Sequence, residues 1–220
     1  MQAISDEKEL DLKKDAKAPT GKPWFNIMAG NIPIIITAPH ATMPFREGTY
    51  RFSDGGGTGA LAKALNTLTG ATVIYTTYSS PSDPNFYNDN DFKRALGEAI
   101  GKYKPMLVLD IHGSHSHRPY DVDLGTMGGK SLMGNEVFVS TLIDALRNEG
   151  LTNISYNYFA ASKNQTVTKF SSAHGVPAIQ LEVNSTWLTP SHDNLSAHRF
   201  AQLLQALVRF VKAVDANNHD

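Results

Sequence analysis

The stretch Ile32-Pro33-Ile34-Ile35-Ile36-Thr37-Ala38-Pro39-His40 decides the fold. Residues 32–38 form an apolar, largely β-branched run, and Pro39 ends it. A run that is apolar on both faces is typical of a strand buried inside a largely parallel sheet, because helices cover both sides of such a sheet. We therefore predict a buried strand over 32–38 that carries His40 at its carboxyl end.

Three further runs have the same apolar character: 71–77, 106–111 and 177–183. The segments between the runs place apolar residues at helical spacing: Leu61, Leu65 and Leu68; Phe92, Leu96 and Ile100; and Val137, Leu142, Ile143 and Leu146. A long amphipathic segment at 195–214 follows the last run. Strands that alternate with helices predict an α/β fold. We expect a three-layer α/β/α sandwich of the phosphorylase/hydrolase-like kind around a mixed, largely parallel sheet.

The composition limits the class of protein. Of the 220 residues, 41% are hydrophobic and 19% are charged, and the formal net charge is -1. This charge favours neither nucleic acid nor an anionic membrane as a partner, so we predict a small-molecule substrate. The sequence lacks the apolar segments of a signal peptide or a membrane span, so we expect a cytoplasmic location and leave the oligomeric state open. Because there is no cysteine, His and carboxylate groups must hold any metal.

The organisation of the chain indicates one domain. We predict a polar, partly helical N-terminal lead-in over 1–22, a single domain over 23–215 and a polar tail over 216–220. The stretch 79–91 is rich in Pro, Asn, Ser and Asp and predicts a long loop. Loops of that length in a compact domain are often functional.

Two motif searches exclude competing chemistry. The glycine-rich stretch Gly55-Gly56-Gly57-Thr58-Gly59 lacks the Gly-Lys-Ser/Thr ending of a P-loop and the spacing of a dinucleotide motif. The sequence contains no Gly-x-Ser-x-Gly motif, which weighs against a serine hydrolase of the α/β type. A water molecule activated by a metal ion is therefore the simplest nucleophile.

Polar side chains stand at the ends of three predicted strands. His40 follows the first, Asp110 and His112 end the strand over 106–111, and Glu182 ends the strand over 177–183. Ligands gather at the carboxyl ends of the strands in open α/β sheets. The sequence therefore predicts that these groups meet at one edge of the sheet.

Two imidazoles and one carboxylate are a standard ligand set for zinc in a hydrolase. We expect His40 and His112 to bind one zinc ion per chain, with a carboxylate from the loop after His40, where Glu47 and Asp54 are available. Asp54 is preferred, because it stands just before a predicted helix and its side chain could turn back toward the sheet edge. Glu47 is the alternative.

The remaining carboxylates suggest catalytic roles. Glu182 stands in an apolar strand, where a buried carboxylate is costly unless it is paired or has a function. We assign it the role of general base. Asp110 stands two residues before His112, on the same side of an ideal strand. We expect Asp110 to accept the second ring N–H of that histidine.

Four short motifs, found in this order from about Ile32 to Asn184, resemble N-formylglutamate amidohydrolases: Ala38-Pro39-His40, Leu109-Asp110-Ile111-His112-Gly113, Asp121-Val122-Asp123-Leu124-Gly125-Thr126 and Gln180-Leu181-Glu182-Val183-Asn184. That family is similar to the zinc carboxypeptidases, which have a mixed sheet between helices, a His, carboxylate, His zinc site and a glutamate base. The resemblance implies that His40 and His112 are ligands and that Glu182 is the base.

The sequence departs from these families at two places. Carboxypeptidases have a carboxylate three residues after the first histidine, where this chain has Met43. That carboxylate also opens a helix, which favours Asp54 here. An Asp-Leu-Asn-Arg-like motif of the amidohydrolases is replaced by Asp89-Asn90-Asp91-Phe92-Lys93-Arg94.

The resemblance implies a zinc-dependent hydrolase of the amide bond of an N-formyl or N-acyl amino acid. A substrate carboxylate needs cationic partners. The candidates are Arg118, Lys93, Arg94 and Arg51, with His115 as a further substrate contact. Two alternatives stay open: a zinc peptidase for small peptides or peptidoglycan fragments, and a non-catalytic module that binds a small anion.

Overall fold

A computed structural model of the chain describes residues 2–216. Met1 and residues 217–220 lie outside the described residues, so only Ala216 of the predicted tail over 216–220 is described, as the last residue of a helix. The described residues form these helices: α1 (Gln2–Lys13), α2 (Gly56–Thr69), α3 (Asp91–Tyr103), α4 (Val137–Asn148), α5 (Val167–Ala173) and α6 (Asn194–Ala216). They form these strands: β1 (Phe25–Met28), β2 (Ile32–Ala38), β3 (Phe45–Arg46), β4 (Thr49–Tyr50), β5 (Ala71–Thr76), β6 (Leu107–Ser114), β7 (Val122–Gly125), β8 (Ile154–Tyr156) and β9 (Ala178–Asn184). None of the helices described between residues 2 and 216 has the length and apolar character needed to cross a membrane.

Seven strands form one sheet in the order β1-β5-β2-β6-β9-β7-β8, and β3 and β4 form a separate hairpin. The central strands β5, β2, β6 and β9 run parallel, whereas β1 is antiparallel to β5 and β7 is antiparallel to β9. These central strands are the four runs predicted from the sequence, and the predicted α/β fold is confirmed. The sequence pattern does not predict β1, β7 and β8, which have only 4, 4 and 3 residues.

Two hydrophobic cores lie on opposite faces of the sheet. On β2, Ile34 and Ile36 belong to the core shared with α2, α4 and α6, whereas Ile35 belongs to the core shared with α3 and α5. Successive side chains of a strand point to opposite faces, so β2 contributes to both cores. The result is the three-layer arrangement predicted from the sequence.

The face of the sheet that carries α3 becomes polar toward the carboxyl ends of β6 and β9. Asp110 and His112 follow Val108 at steps of two residues on β6, and Glu182 follows Ala178 at a step of four on β9. The two strands pair in parallel with His112 opposite Glu182. The register of the sheet therefore sets these side chains beside one another.

The predicted lead-in over 1–22 contains α1, which packs along α2. Leu10 is buried in the core on the α2 side, and Asp6 forms an ion pair with Lys63 of α2. A Cβ atom on Gly59 would lie 2.5 Å from the Leu10 side chain, so a glycine permits this close approach. The N-terminal segment is thus packed into the folded domain.

Candidate metal centre

The three preferred ligands form one cluster at the carboxyl edge of the sheet. His40, Asp54 and His112 each offer a ligand atom, and these atoms lie within 4.8 Å of one another. The Oδ2 atom of Asp54 lies 2.9 Å from Nδ1 of His112 and 3.6 Å from Nδ1 of His40. The two imidazoles thus turn their Nδ1 atoms toward a shared carboxylate, and the cluster suggests a metal site.

The backbone holds Asp54 in this position. The Asp54 N–H donates to the carbonyl of His40 at 2.8 Å. A Cβ atom on Gly113 would lie 2.7 Å from the Asp54 carbonyl oxygen, so the end of β6 lets the loop approach closely. Gly55 then has a φ of 93°, which glycine tolerates, and α2 begins at Gly56. This sharp turn directs the Asp54 side chain back to the two histidines.

The second ring nitrogen of His40 is held by a carboxylate. Nε2 of His40 lies 2.7 Å from Oδ1 of Asp83, which is fully buried. The Asn85 N–H donates to the same Oδ1 at 2.8 Å, and Arg46 lies 3.5 Å from Oδ2. Asp83 can therefore fix the orientation of the ring and leave Nδ1 available to a cation.

His112 has an equivalent partner on its own strand. Its Nε2 lies 3.2 Å from Oδ2 of Asp110, and Oδ1 of Asp110 accepts a hydrogen bond from Thr37 at 2.7 Å. Nδ2 of Asn85 lies 2.8 Å from the same ring nitrogen, and the Val167 N–H donates to Oδ1 of Asn85. The structure places Asp110 where the sequence predicts an acceptor for the ring.

The charges of the cluster favour a cation. Burial lowers the pKa of both histidines, but the carboxylates outweigh it: Asp83 and Asp54 raise the pKa of His40 to about 9, and Asp110 and Asp54 raise that of His112 well above its ordinary value. Burial raises the pKa of Asp54, yet hydrogen bonds with both histidines bring it below its usual range. Three carboxylates around two imidazoles leave an excess of negative charge that a metal ion can neutralise.

Glu182 lies beside the cluster and faces a cavity. Its Oε1 accepts a hydrogen bond from Nε2 of Gln180 at 2.9 Å. Burial raises its pKa, His112 and His40 lower it, Asp54 raises it, and the net value is about 7. The carboxylate thus has no ion pair with Lys or Arg among residues 2–216 and is free to exchange a proton near neutral pH.

Two lobes of a cavity meet at the cluster. The arginine lobe has a volume of about 370 Å³, and its lining includes Arg46, Arg51, Arg118 and His115. The amide lobe has a volume of about 520 Å³, and its polar lining includes Asn85, Lys163, Asn164, Thr166 and Gln180. His40, Asp54 and Glu182 line both lobes, so they lie at the junction.

Three of the predicted substrate contacts line the arginine lobe: Arg51, Arg118 and His115. The guanidinium of Arg118 lies over the ring of Phe159 at 4.9 Å, and its buried Nε has no hydrogen-bond partner among the described residues. His115 lines the same lobe and stacks on His117. Arg118 therefore places a positive charge on the wall of this lobe.

Lys93 does not reach the cavity, contrary to the prediction that it contacts substrate. Its side chain is buried, and its Nζ donates to Oδ1 of Asn88 and to the carbonyls of Gln165 and Thr166 at 2.8–3.2 Å. Burial lowers the pKa of Lys93 to about 8, although Asp110 and Asp83 oppose the shift. Its position on α3 makes it an anchor for two loops.

Arg94 also lies outside the cavity. Its side chain is exposed and forms ion pairs with Asp89 and Asp91 at the beginning of α3. Successive residues of a helix point about 100° apart, so Arg94 turns to solvent while Lys93 turns inward. The predicted role in substrate binding does not fit this position.

Glu47, the alternative to Asp54, lies at the tip of the β3–β4 hairpin. It is exposed, and its φ of 52° and the φ of 82° at Gly48 form the tight turn between the strands. Its carboxylate is not part of the cluster that could hold a metal. The hairpin projects Glu47 away from the sheet edge, which explains why the later carboxylate reaches the histidines.

The sequence pattern does not identify Asp83, Asn85 or Arg46 as parts of the site. Asp83 and Asn85 lie in the loop predicted over 79–91, whose composition indicated function without indicating which residues take part. Their side chains are almost fully buried in a polar loop, a feature that appears only once the fold is known. Arg46 lies on β3 and lines both lobes.

Comparisons with known proteins agree with the fold. No protein-family model matches the sequence, and no curated protein matches it. The chain is similar in structure to an N-formylglutamate amidohydrolase from Ralstonia eutropha JMP134, with a TM-score of 0.67, 15% identity and coverage of 88% of this chain and 98% of that one. A bacteriophage poly-gamma-glutamate hydrolase matches with a TM-score of 0.58, 15% identity and coverage of 92% and 94%.

A third solved structure extends the same comparison. A metallo-carboxypeptidase from Burkholderia cenocepacia matches with a TM-score of 0.55 and 14% identity, over 96% of this chain and 67% of that chain. At these identities the likenesses establish the fold. They confirm that the chain has the fold shared by the amidohydrolase and carboxypeptidase structures that its motifs resemble.

Proposed function

We propose that the protein is a zinc-dependent hydrolase of amide bonds. The observation that carries the proposal is the convergence of His40, Asp54 and His112 beside Glu182, at the junction of two lobes of a cavity. Two imidazoles and one carboxylate are the donors that catalytic zinc prefers. The outer partners Asp83 and Asp110 are the kind of carboxylate that supports ligating histidines.

The residues present fit a zinc ion. His40 and His112 would hold it through Nδ1 and Asp54 through Oδ2, because these atoms face one another. The other ring nitrogens have their own partners, Asp83 for His40 and Asn85 with Asp110 for His112. The chemistry that zinc supplies in such a site is Lewis acidity, which polarises a carbonyl and lowers the pKa of water toward ~7. Calcium and magnesium prefer all-oxygen ligand sets, which this cluster does not offer.

Glu182 is the general base in this proposal. Oε1 is occupied by the hydrogen bond from Gln180, so Oε2 is the oxygen free to accept a proton from the attacking water. The carboxyl group can then pass that proton to the leaving nitrogen of the amide. In the metal-free site burial raises the pKa of Glu182 to about 7, and a bound cation would lower this pKa and favour the carboxylate form that acts as the base.

The surroundings of Glu182 help to distinguish an enzyme from a simple binding module. A structural role for Glu182 would place it in an ion pair turned away from the histidines. Instead it faces the cavity opposite His112, and its hydrogen-bond partner is the neutral Gln180. This arrangement favours catalysis over non-catalytic binding of an anion.

The proposed substrate is an N-formyl or N-acyl amino acid. Arg118, Arg46 and Arg51 line the arginine lobe and could bind a carboxylate of the amino acid part. The scissile amide would then lie at the junction of the lobes, beside Glu182. The acyl part would extend into the amide lobe.

The size of the amide lobe favours a second candidate substrate class. A formyl group contains one carbon, whereas the amide lobe has a volume of about 520 Å³ and several hydrogen-bonding side chains. Such a lobe suits a longer acyl chain or a further peptide-like unit. Hydrolysis of short acidic amides or peptides is therefore the alternative to deformylation, and a series of N-formyl, N-acetyl and N-aminoacyl substrates separates the two.

The mechanism is tested by Glu182→Gln. We expect this variant to keep stoichiometric zinc and to lose hydrolysis by a factor of roughly 100 to 10,000, the range supplied by a positioned acid or base. Zinc content by elemental analysis and kcat on the best substrate give the two readouts. A wild-type protein that binds no stoichiometric zinc, or a variant with full activity, would contradict the proposal.

The substrate assignment is tested by Arg118→Ala, with Arg94→Ala as the matched control. Loss of one charged hydrogen bond to a substrate carboxylate should raise KM roughly 10-fold with little change in kcat. Arg94 is exposed and outside the cavity, so its removal should leave both constants unchanged. Equal effects of the two variants would show that Arg118 acts only through general charge.

A further inference from the structure

The N-terminal segment contacts the loops that carry the proposed metal ligands. Four backbone N–H groups near the carboxyl edge of the sheet donate to this segment: Gly56 to Oδ1 of Asp11 at 2.9 Å, Met43 to the Lys14 carbonyl at 2.8 Å, Ser79 to the Ala16 carbonyl at 2.9 Å, and Ser191 to Oε2 of Glu7 at 2.7 Å. Met43, Ser79 and Ser191 lie in the segments that follow β2, β5 and β9, and Gly56 begins α2. The segment over 7–16 thus forms a brace across them.

The contact between Asp11 and Gly56 is the one nearest to a proposed ligand. Gly56 is the first residue of α2 and stands two residues after Asp54. The residue before the helix, Gly55, offers no side chain to cap it. The Asp11 carboxylate therefore supplies from another helix both the missing acceptor and a negative charge at the helix N-terminus.

The glycines at the start of α2 are enclosed on two sides. A Cβ atom on Gly56 would lie 2.4 Å from the carbonyl oxygen of Glu7 on α1. A Cβ atom on Gly57 would lie 1.6 Å from the carbonyl oxygen of Leu188, on the opposite side. The start of α2 is therefore clamped between α1 and the segment that follows β9. The glycines of this stretch allow the close packing because they have no Cβ atom.

We propose that Asp11 is a positioning residue that fixes the Asp54 carboxylate in the metal centre, by holding the start of α2 against α1. The inference rests on the proposed function, since it concerns the affinity of the same zinc site. Asp11 acts through the peptide backbone of Gly55 and Gly56 and does not contact the ligand cluster. α1 thereby becomes part of the support of the site.

The test compares three full-length variants prepared without metal. Asp11→Ala removes the acceptor, Asp11→Asn keeps an oxygen acceptor, and Asp6→Ala removes a different contact between α1 and α2, the ion pair with Lys63. Zinc affinity is measured by competition with a chromophoric chelator. We expect Asp11→Ala to weaken zinc binding about 10-fold, the lower end for an outer partner, and Asp11→Asn to stay within about threefold.

Asp6→Ala distinguishes positioning from general loosening of α1. This variant should lower the melting temperature and bind zinc as the wild type does. If Asp6→Ala weakens zinc binding as much as Asp11→Ala, or if Asp11→Ala binds zinc with wild-type affinity, the assignment of Asp11 is overturned.

A second measurement separates this inference from the proposed function. In the metal-free proteins, amide hydrogen exchange at residues 54–58 should be faster in Asp11→Ala than in the wild type and unchanged in Asp6→Ala. Unchanged exchange in Asp11→Ala overturns the inference whatever the zinc result. If the wild type binds no zinc but exchange is still faster in Asp11→Ala, only the proposed function is overturned. Asp11 would then still be the residue that fixes the segment carrying Asp54.

Discussion

The two halves of the site are held in place by different means. Asp110, His112 and Glu182 lie on neighbouring strands, where the parallel register of β6 and β9 fixes their spacing. His40, Asp54 and Asp83 lie on loops, where each depends on individual hydrogen bonds. The strand-borne half is therefore as rigid as the sheet, whereas the loop-borne half requires its own anchors. Removal of a group from either half tests this difference.

The largest effect is expected when a ligand of the strand-borne half is removed. His112→Ala takes away one of three ligands while the register of β6 stays intact, so the protein should fold and lose zinc affinity. We expect a loss of roughly 1000-fold, beyond the 10–100-fold typical of outer partners. Calorimetric or competitive zinc titration measures the loss, and circular dichroism checks the fold.

Glu47→Gln is the matched control for the ligand assignment. The Glu47 side chain lies exposed at the hairpin tip. The zinc affinity of the Glu47→Gln protein should therefore remain within about twofold of the wild type, as for a surface substitution away from the metal. Wild-type zinc affinity in His112→Ala would remove His112 from the ligand set, and a loss in Glu47→Gln would make Glu47 the carboxylate ligand in place of Asp54.

The same difference explains which parts of the molecule the sequence predicts. Alternation along β6 and β9 places Asp110, His112 and Glu182 on one face, and this periodicity is visible in the sequence. The four central strands and the helices between them are predicted for the same reason, because burial on both faces leaves a continuous apolar run. The fold and the strand-borne half of the site can therefore be predicted from the order of apolar and polar residues along single segments.

The loop-borne half depends on contacts between residues far apart in the chain. The carboxylate of Asp83 meets His40 across 43 positions, and no local pattern encodes that meeting. Lys93 is predicted to contact substrate, yet its side chain is buried and its Nζ donates to three oxygen acceptors from other segments of the chain. The contribution of α1 is also invisible in the sequence, since its contacts with the loops form only in the folded chain.

A smaller effect is expected when an anchor of the loop-borne half is weakened. Asp83→Asn keeps the size of the side chain but removes the charge that faces Nε2 of His40. We expect zinc affinity to fall about 10–100-fold, because the ring loses the carboxylate that orients it and raises its basicity. Zinc titration of Asp83→Asn beside Asp89→Asn, an exposed residue of the same loop, provides the measurement. Equal affinities in the two variants would mean that His40 is held without Asp83.

The smallest effect is expected for Lys93, whose ammonium group joins two loops of the site and contributes to the stability of the fold. Nζ of Lys93 binds Asn88, which follows Asp83 in its loop, and the carbonyls of Gln165 and Thr166 beside the amide lobe. Burial lowers the pKa of Lys93 to about 8 from an ordinary value of 10.5, so between these values the unfolded chain binds more protons than the folded one. The contribution of this lysine to stability must therefore rise with pH across that window, by at most ~1.4 kcal/mol per pH unit, and it is constant below and above it.

Lys93→Met isolates this contribution. Denaturant unfolding at pH 7.5 to 10.5, at steps of about half a unit, should show the wild type gaining stability relative to the variant as the pH rises. Lys102→Met is the matched control, because Lys102 is exposed on the same helix and its side chain stays in solvent in both states, so its difference from the wild type should be constant. A constant difference for Lys93→Met would mean that the buried ammonium is not desolvated. The three hydrogen bonds of Nζ would then compensate fully for its burial, and the constant offset would measure what Lys93 contributes to holding the two loops.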